Sequence, residues 1–437
     1  MSRRISIAAA VSVAAVAAAA AVTLTYTYAM DAFNAKVADV NERQALYTKL
    51  SEIDRKTRED YVGAIDEKAV TDGICAGYLA GLGDPHAKYL TAKQYQAYRN
   101  SADSKSTGVG IRTIRDADGN MEVVEVVPGS PAEKAGIKKG DTILQVGGKD
   151  VVRVTYAEAV QQLDGAAGSR VAFRLLRAEN AENGKAESAA SSGVAVRAMD
   201  VTVTRGEYTL RTVVSSLVNG NVAYLKLSRF GENTAEDFNS AVSSLMRKGV
   251  CGLVVDLRGN SGGSVKAAAA VLDTLLPAGT TVQSRGRDGK TTAEYASGAN
   301  EVELPVSVIM DGQTSGAAEL FAADIRDFKK GLTVGNTTAG DGAKETAVPL
   351  SDGSAMVLPT AEYLTAGGGR IEGAGVTPDI QKSLSAGQQA LLEKNDLAPS
   401  LDAQVQTAVT ALARQGAKVK EPPGASPSGS VPESAKD

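Results

Sequence analysis

Between residues 210 and 385 the chain repeatedly sets a short apolar run in front of a longer amphipathic one, and few folds accept that order. "NVAYLKLSRF" precedes "AEDFNSAVSSLMRKG", "CGLVVDLRG" precedes "SVKAAAAVLDTLLPAG", and "LPVSVIMDG" precedes "AAELFAADIRDFKKG". Short contiguous runs of Val, Leu and Ile suit strands buried on both faces. The longer segments space their apolar residues three and four apart, which gathers them on one helical face. Strand and helix in alternation imply a largely parallel sheet flanked by helices, so this part is expected to be an α/β core.

The rest of the chain is patterned differently. Residues 31–106 read as helical: "VADVNERQALYTKLSEIDRKTREDYV" repeats apolar positions at helical steps, and two further short helices are expected around the Gly-Asp-Pro turn at 83–85. From 107 to 209 short strands alternate with turn residues, and 178–198 is a low-complexity stretch expected to form a long hairpin loop. The core is taken as 210–390, a capped helix as 391–415 and a disordered tail as 416–437. A chain of 437 residues supports two or three domains. With no Trp and only 4% aromatic residues, their cores must be aliphatic.

Location is written at the N-terminus. "MSRR" precedes an apolar run at 5–24 long enough to span a membrane, and the basic flank places the remainder outside the cytoplasm. Residues 1–30 are read as a signal anchor of a single-pass membrane protein; the second reading is a cleaved signal peptide and secretion. The net charge of −4 with no basic run excludes nucleic-acid binding as a design principle. Cys75 and Cys251 are read as two buried free thiols. His86 is the only histidine, which excludes a multi-histidine metal site, and its place after a turn proline suggests a surface or packing role. No metal or organic cofactor is expected.

Within 107–209, "STGVGIRT" and "VVPGSPAEKAGIKKGDTILQVGGKDV" resemble a PDZ domain. Gly108, Val109, Gly110 and Ile111 correspond to its carboxylate-binding loop, where glycines let successive N–H groups face one concavity. An extended peptide could add to the neighbouring strand edge. With that module in place, residues 40–385 resemble the carboxyl-terminal processing (tail-specific) serine peptidases, segment after segment in order. The resemblance implies a ClpP/crotonase-like α/β peptidase core with an inserted PDZ domain and an N-terminal helical region. It also implies polypeptide C-termini or unfolded protein as partners. One departure is Asp164, where that family usually carries Arg.

The family's nucleophile lies in a T-A-S-A-x-E pattern, and the match here is "TSGAAE", which puts Gly316 at the serine position. Its general-base lysine lies in T-F-G-K-G; the match "TAGDG" puts Asp341 there, and Glu345 stands where a lysine-orienting Gln is common. A hydroxyl nucleophile needs a neighbouring base, and neither position supplies its half of that pair. Gly259, Gly262 and Gly263 of "RGNSGG" correspond to an oxyanion-type loop, with a tight capped turn as the plainer reading. The expectation is therefore a peptide-binding pseudopeptidase. The rival is an active serine endopeptidase that pairs Ser315 with Lys344, supported by Glu345; otherwise Ser315 is a helix cap and Lys344 a solvated charge. A third reading makes the chain a regulatory partner of an active homologue, joined through the helical region 31–98; a homo-oligomer is the other partner expectation.

Overall fold

The computed structural model describes residues 21, 23–28, 30, 44–102, 105–178, 196–299 and 301–420. Residues 1–20, 22 and 29 of the expected anchor, 179–195 of the low-complexity stretch and 421–437 of the expected tail lie outside the described residues. Among the described residues no helix is long and apolar enough to cross a membrane. The chain divides into two compact units, Met1–Ile74 and Cys75–Asp437.

In the first unit residues 44–60 form a helix. Charged pairs one turn apart lace its surface, Arg55 with Glu59 at 3.1 Å and Arg58 with Asp54 at 2.9 Å, and Arg58 also meets Glu67 at 2.7 Å. All of these pairs face solvent, where they contribute little. Leu46, Tyr47 and Ile53 of the same helix are exposed.

The heart of the second unit is a six-stranded sheet in the order Val213–Val218, Val222–Leu227, Leu253–Asp256, Val306–Met310, Gly331–Gly335, Ile380–Gln381. The first two strands form an antiparallel hairpin and every later pairing is parallel. Because side chains alternate across a strand, Leu253, Val255, Val306 and Val308 pack to one side with helices Thr234–Met246, Val265–Leu275 and Ala317–Asp327. Val254, Ile309 and Val334 pack to the other side, against helix Ala403–Arg414. Burial on both faces is what the unbroken apolar runs required.

That last helix is locked to the sheet by charge. Asp402 caps it, accepting from the N–H groups of Gln404 at 2.8 Å and Val405 at 3.1 Å, and pairs with Arg258 at 2.7 Å. Arg258 also binds Asp256 at 2.6 Å, and all three side chains are at most 3% exposed. A buried cation between two buried carboxylates is favourable only because each has its partners.

The PDZ-like module is a second sheet, Ile111–Arg115, Met121–Val126, Thr142–Val146, Arg170–Ala178 and Val196–Thr204, with Lys149–Asp150 pairing Thr142–Val146. Val123, Ile143, Phe173, Leu175 and Val203 fill its core. Its last hairpin pairs Arg170 with Thr204 through to Ala178 with Val196. Helix Tyr156–Gln161 starts on a full capping box between Thr155 and Glu158.

A third sheet was not foreseen in the sequence. Ala355–Leu364 pairs with Lys88–Leu90, Ala343–Pro349 and Gln283–Gly286. Strand Lys88–Leu90 lies between helices Glu67–Ala80 and Ala92–Ala102, where the sequence pattern suggested helices and a turn alone. Both cysteines are free, as read, but each is only partly buried.

Candidate active site

The site is assembled where strand Val306–Met310 gives way to helix Ala317–Asp327. Thr314 is fully buried and donates to the carbonyl of Leu257 at 3.0 Å, which pins the turn to the neighbouring strand. Ser315 N–H donates to the carbonyl of Asn260 at 3.0 Å. The chain then turns sharply through Gly316, the helix N-cap, at φ 60° and ψ −120°. That backbone conformation is close to exclusive to glycine unless the surroundings enforce it. A Cβ added at Gly316 would meet Asp341 Oδ2 at 3.7 Å and Gly262 Cα at 3.8 Å, both ordinary contacts. Position 316 therefore projects toward position 341 with room for a small side chain.

One carboxylate fixes this arrangement. Glu319, fully buried in the first turn of the helix, accepts from the N–H of Gly316 at 2.9 Å, Gly340 at 2.7 Å and Asp341 at 2.8 Å, and from the Thr338 hydroxyl. Four donors on two oxygens satisfy the buried charge and tie the elbow to the 338–341 loop. The grip of Glu319 on this second loop spans 21 and 22 residues of chain and has no local signature in the sequence.

Around Asp341 the site is rich in ionisable groups. His86 Nδ1 lies 3.3 Å from Glu345 Oε1 and 3.8 Å from Asp341 Oδ1, and its Nε2 lies 3.3 Å from Glu372 Oε1. Lys88 pairs with Glu345 at 3.1 Å. Burial works against the imidazolium, but the charge of Asp341 and the bonds to Glu345 and Glu372 outweigh it, so His86 is raised above its ordinary value. His86 is thus a member of the cleft, not the surface or packing residue expected from its turn. It arrives there because Lys88–Leu90 pairs with Ala355–Leu364.

Ser315 and Lys344 do not meet. The Ser315 hydroxyl donates to Asp341 Oδ2 at 3.2 Å, whereas the Lys344 ammonium sits on Glu294 at 2.5 Å, over the ring of Tyr363. Lys344 and Glu345 are neighbours on strand Ala343–Pro349, at a register shift, and leave it for different partners. Glu345 goes to His86 and Lys88; Lys344 goes to Glu294. Lys344 is accordingly ion-paired and not a solvated charge. Ser315 is not the helix cap, since Gly316 holds that place. Nor does Ser315 turn away from position 341 as a one-residue helical rotation would suggest, because residue 315 is still in the turn.

The expected oxyanion loop uses its glycines for packing. Gly259 N–H donates to Asp311 Oδ1 at 3.1 Å and Gly262 N–H to Asn260 Oδ1 at 2.9 Å, so these two amides are already engaged. A Cβ on Gly262 would come within 2.8 Å of the Ser315 carbonyl, and one on Gly263 within 2.3 Å of the Phe230 carbonyl. Close approach of backbones is what these positions require.

The carboxylate-binding loop of the PDZ-like module is also partly engaged. Val109 N–H donates to the Leu163 carbonyl at 3.0 Å, and Gly108 bridges to Asp164. A Cβ on Gly108 would lie 2.9 Å from Asp164 Oδ1, so that carboxylate stands against the loop. Burial raises the pKa of Asp164, partly offset by Arg205. Gly110 has φ 81° and packs on Ser130, and Ile111 opens the strand whose Thr113 carbonyl accepts from the Tyr156 hydroxyl at 2.6 Å. A groove of 800 Å³ runs from Ile111 and Ile114 past Tyr208 and Arg229 to Gly259 and Gln313, joining this module to the elbow.

An α/β core carrying a PDZ domain, with a helix-entrance elbow facing a second loop, defines a peptidase-type scaffold. Residues 221–382 match the model of Peptidase family S41 and residues 100–176 match that of the PDZ domain. The chain is 30% identical over 339 residues to the carboxy-terminal processing protease CtpA of Bacillus subtilis, covering 77% of this chain and 69% of that protein. It is 30% identical over 355 residues to a carboxy-terminal-processing protease of Bartonella bacilliformis, covering 79% and 78%. A putative S41 protease from Bacteroides fragilis shares the fold, with a TM-score of 0.53 at 20% identity over 82% of this chain and 92% of that one. The chain belongs to the carboxy-terminal processing proteases of peptidase family S41.

Proposed function

We propose that this chain binds polypeptides on a tail-specific peptidase scaffold whose hydrolytic centre is gone. The observation that carries the reading is the fate of the two candidate partners: the Ser315 hydroxyl faces a carboxylate and the Lys344 ammonium faces Glu294. Amide hydrolysis by this family's chemistry needs a hydroxyl beside a neutral amine. Gly316 offers no oxygen, and Asp341 would repel the oxyanion that hydrolysis develops.

The groove between the PDZ domain and the elbow supports binding of an extended segment, and the relatives' names point to C-terminal segments. Asp164 and the Leu163 carbonyl compete with a terminal carboxylate at the loop, so a weak grip on free C-termini is part of the proposal. The apolar run at 5–24 would hold the chain at the membrane with its bulk outside the cytoplasm.

The test is made on the purified full chain in detergent, with a fluorescent unfolded protein as substrate. Fluorescence anisotropy is expected to rise with chain concentration while the substrate stays intact. Cleavage that disappears in Ser315→Ala would overturn the proposal and make the chain an endopeptidase.

A further inference from the structure

We propose that the cleft binds a divalent first-row metal cation, with His86, Asp341 and Glu372 as its ligands. One donor atom from each of these three residues can be chosen so that all lie within 4.8 Å of one another. The closest approaches are 3.3 Å, from His86 Nε2 to Glu372 Oε1, and 3.8 Å, from His86 Nδ1 to Asp341 Oδ1. Ligands bound tetrahedrally to zinc stand about 3.3 Å apart, a spacing the Nε2–Glu372 pair already has; Asp341 must swing from the Nδ1 edge of the ring toward Nε2 to complete the set.

The three residues come from separate segments, and each is held from behind. His86 N–H donates to Asp84 Oδ1 at 2.9 Å, and Asp341 N–H to Glu319 at 2.8 Å. Glu372 Oε2 accepts from Gly342 N–H at 2.8 Å, which leaves Oε1 facing the imidazole. A Cβ on Gly342 would lie 2.6 Å from Glu372 N, so the glycine is what lets the two loops close on each other. Ligation through Nε2 leaves the Nδ1–H of His86 on Glu345, 3.3 Å away, the carboxylate–histidine support that metal-binding imidazoles commonly have.

Charge points the same way. Lys88 pairs with Glu345, while the carboxylates of Asp341 and Glu372 both approach the one imidazole. A divalent ion balances two carboxylates, and a set that includes an imidazole nitrogen suits Zn²⁺ better than Mg²⁺, which prefers oxygen alone. The inference stands on this geometry whether or not the cleft hydrolyses peptides.

The experiment is calorimetric titration of the metal-stripped full chain with ZnCl₂. One ion per chain is expected, with affinity at least tenfold weaker in His86→Ala and in Asp341→Asn and unchanged in Glu294→Gln. Thermal melts of each variant confirm that it is folded. Absence of stoichiometric binding overturns the proposal, and so does stoichiometric binding that folded His86→Ala leaves within threefold of the wild-type affinity.

Discussion

If the scaffold is intact and only side chains are missing, putting them back should restore hydrolysis. The variant is Gly316→Ser with Asp341→Lys and Glu345→Gln. A Cβ at 316 meets nothing closer than 3.7 Å, so the serine fits sterically. Its backbone must hold φ 60° and ψ −120°, which for a non-glycine residue costs about 1–3 kcal/mol of stability. Glu319, with its four donors, is what holds the turn in that conformation. A lysine at 341 would stand beside Glu345, whose negative charge favours the ammonium form; glutamine at 345 removes that bias toward a protonated and useless base. Loss of a serine nucleophile elsewhere costs about 10⁶ in turnover, equivalent to about 8 kcal/mol. Recovery of a thousandth of that is a gain of about 10³-fold, easily read as fluorescence release from a quenched unfolded substrate. Gly316→Ser alone should stay at the wild-type background, since position 341 still carries a carboxylate and Lys344 stays on Glu294. A triple variant that melts cooperatively yet stays inert would refute the reasoning, because the cleft would then lack more than side chains.

Three further outcomes follow from other parts of the structure. Removing Arg258 as Arg258→Met strands Asp256 and Asp402 without their buried partner; a loss of about 3–5 kcal/mol is expected in urea unfolding, and a loss below 1 kcal/mol would contradict it. Asp324 is buried with one carboxyl oxygen unpartnered, and burial holds its folded-state pKa well above the ordinary range. Its contribution is therefore fully present below the unfolded pKa of about 3.9 and is lost as pH rises toward the folded value, by about 1.4 kcal/mol per unit. Asp324→Asn should gain stability relative to wild type as pH rises from 4, and a difference independent of pH between 4 and 7 would refute this. Asp164→Arg replaces the carboxylate against Gly108 with a cation and should tighten binding of a peptide with a free C-terminus about tenfold, or 1.4 kcal/mol, but not of its amidated form. Equal gains for both peptides would show that the loop does not read the terminal charge.

The architecture was legible where local pattern and burial coincide. The strands at 253–256 and 306–310 are apolar on both faces because helices cover both, and that shows in sequence as unbroken runs. The PDZ module announced itself through a long stretch of turn glycines and alternating apolar residues. The cleft was legible only in part. Gly316 and Asp341 could be placed by matching the motif, but His86 meets Glu345 across 259 residues of chain, through a strand of three residues with no periodicity to notice. The engagement of Gly259 and Gly262 was hidden for another reason: Asp311 and Asn260 compete for those amides, and such competition is settled by tertiary geometry. Lys344 is one residue from Glu345, yet Glu294 draws it away from the cleft.

The most direct check on the central claim is treatment of the wild-type full chain with a serine-directed fluorophosphonate probe, followed by peptide mass mapping. With the Ser315 hydroxyl on Asp341 and the Lys344 amine on Glu294, the account predicts no adduct. A stoichiometric adduct on Ser315 would contradict it.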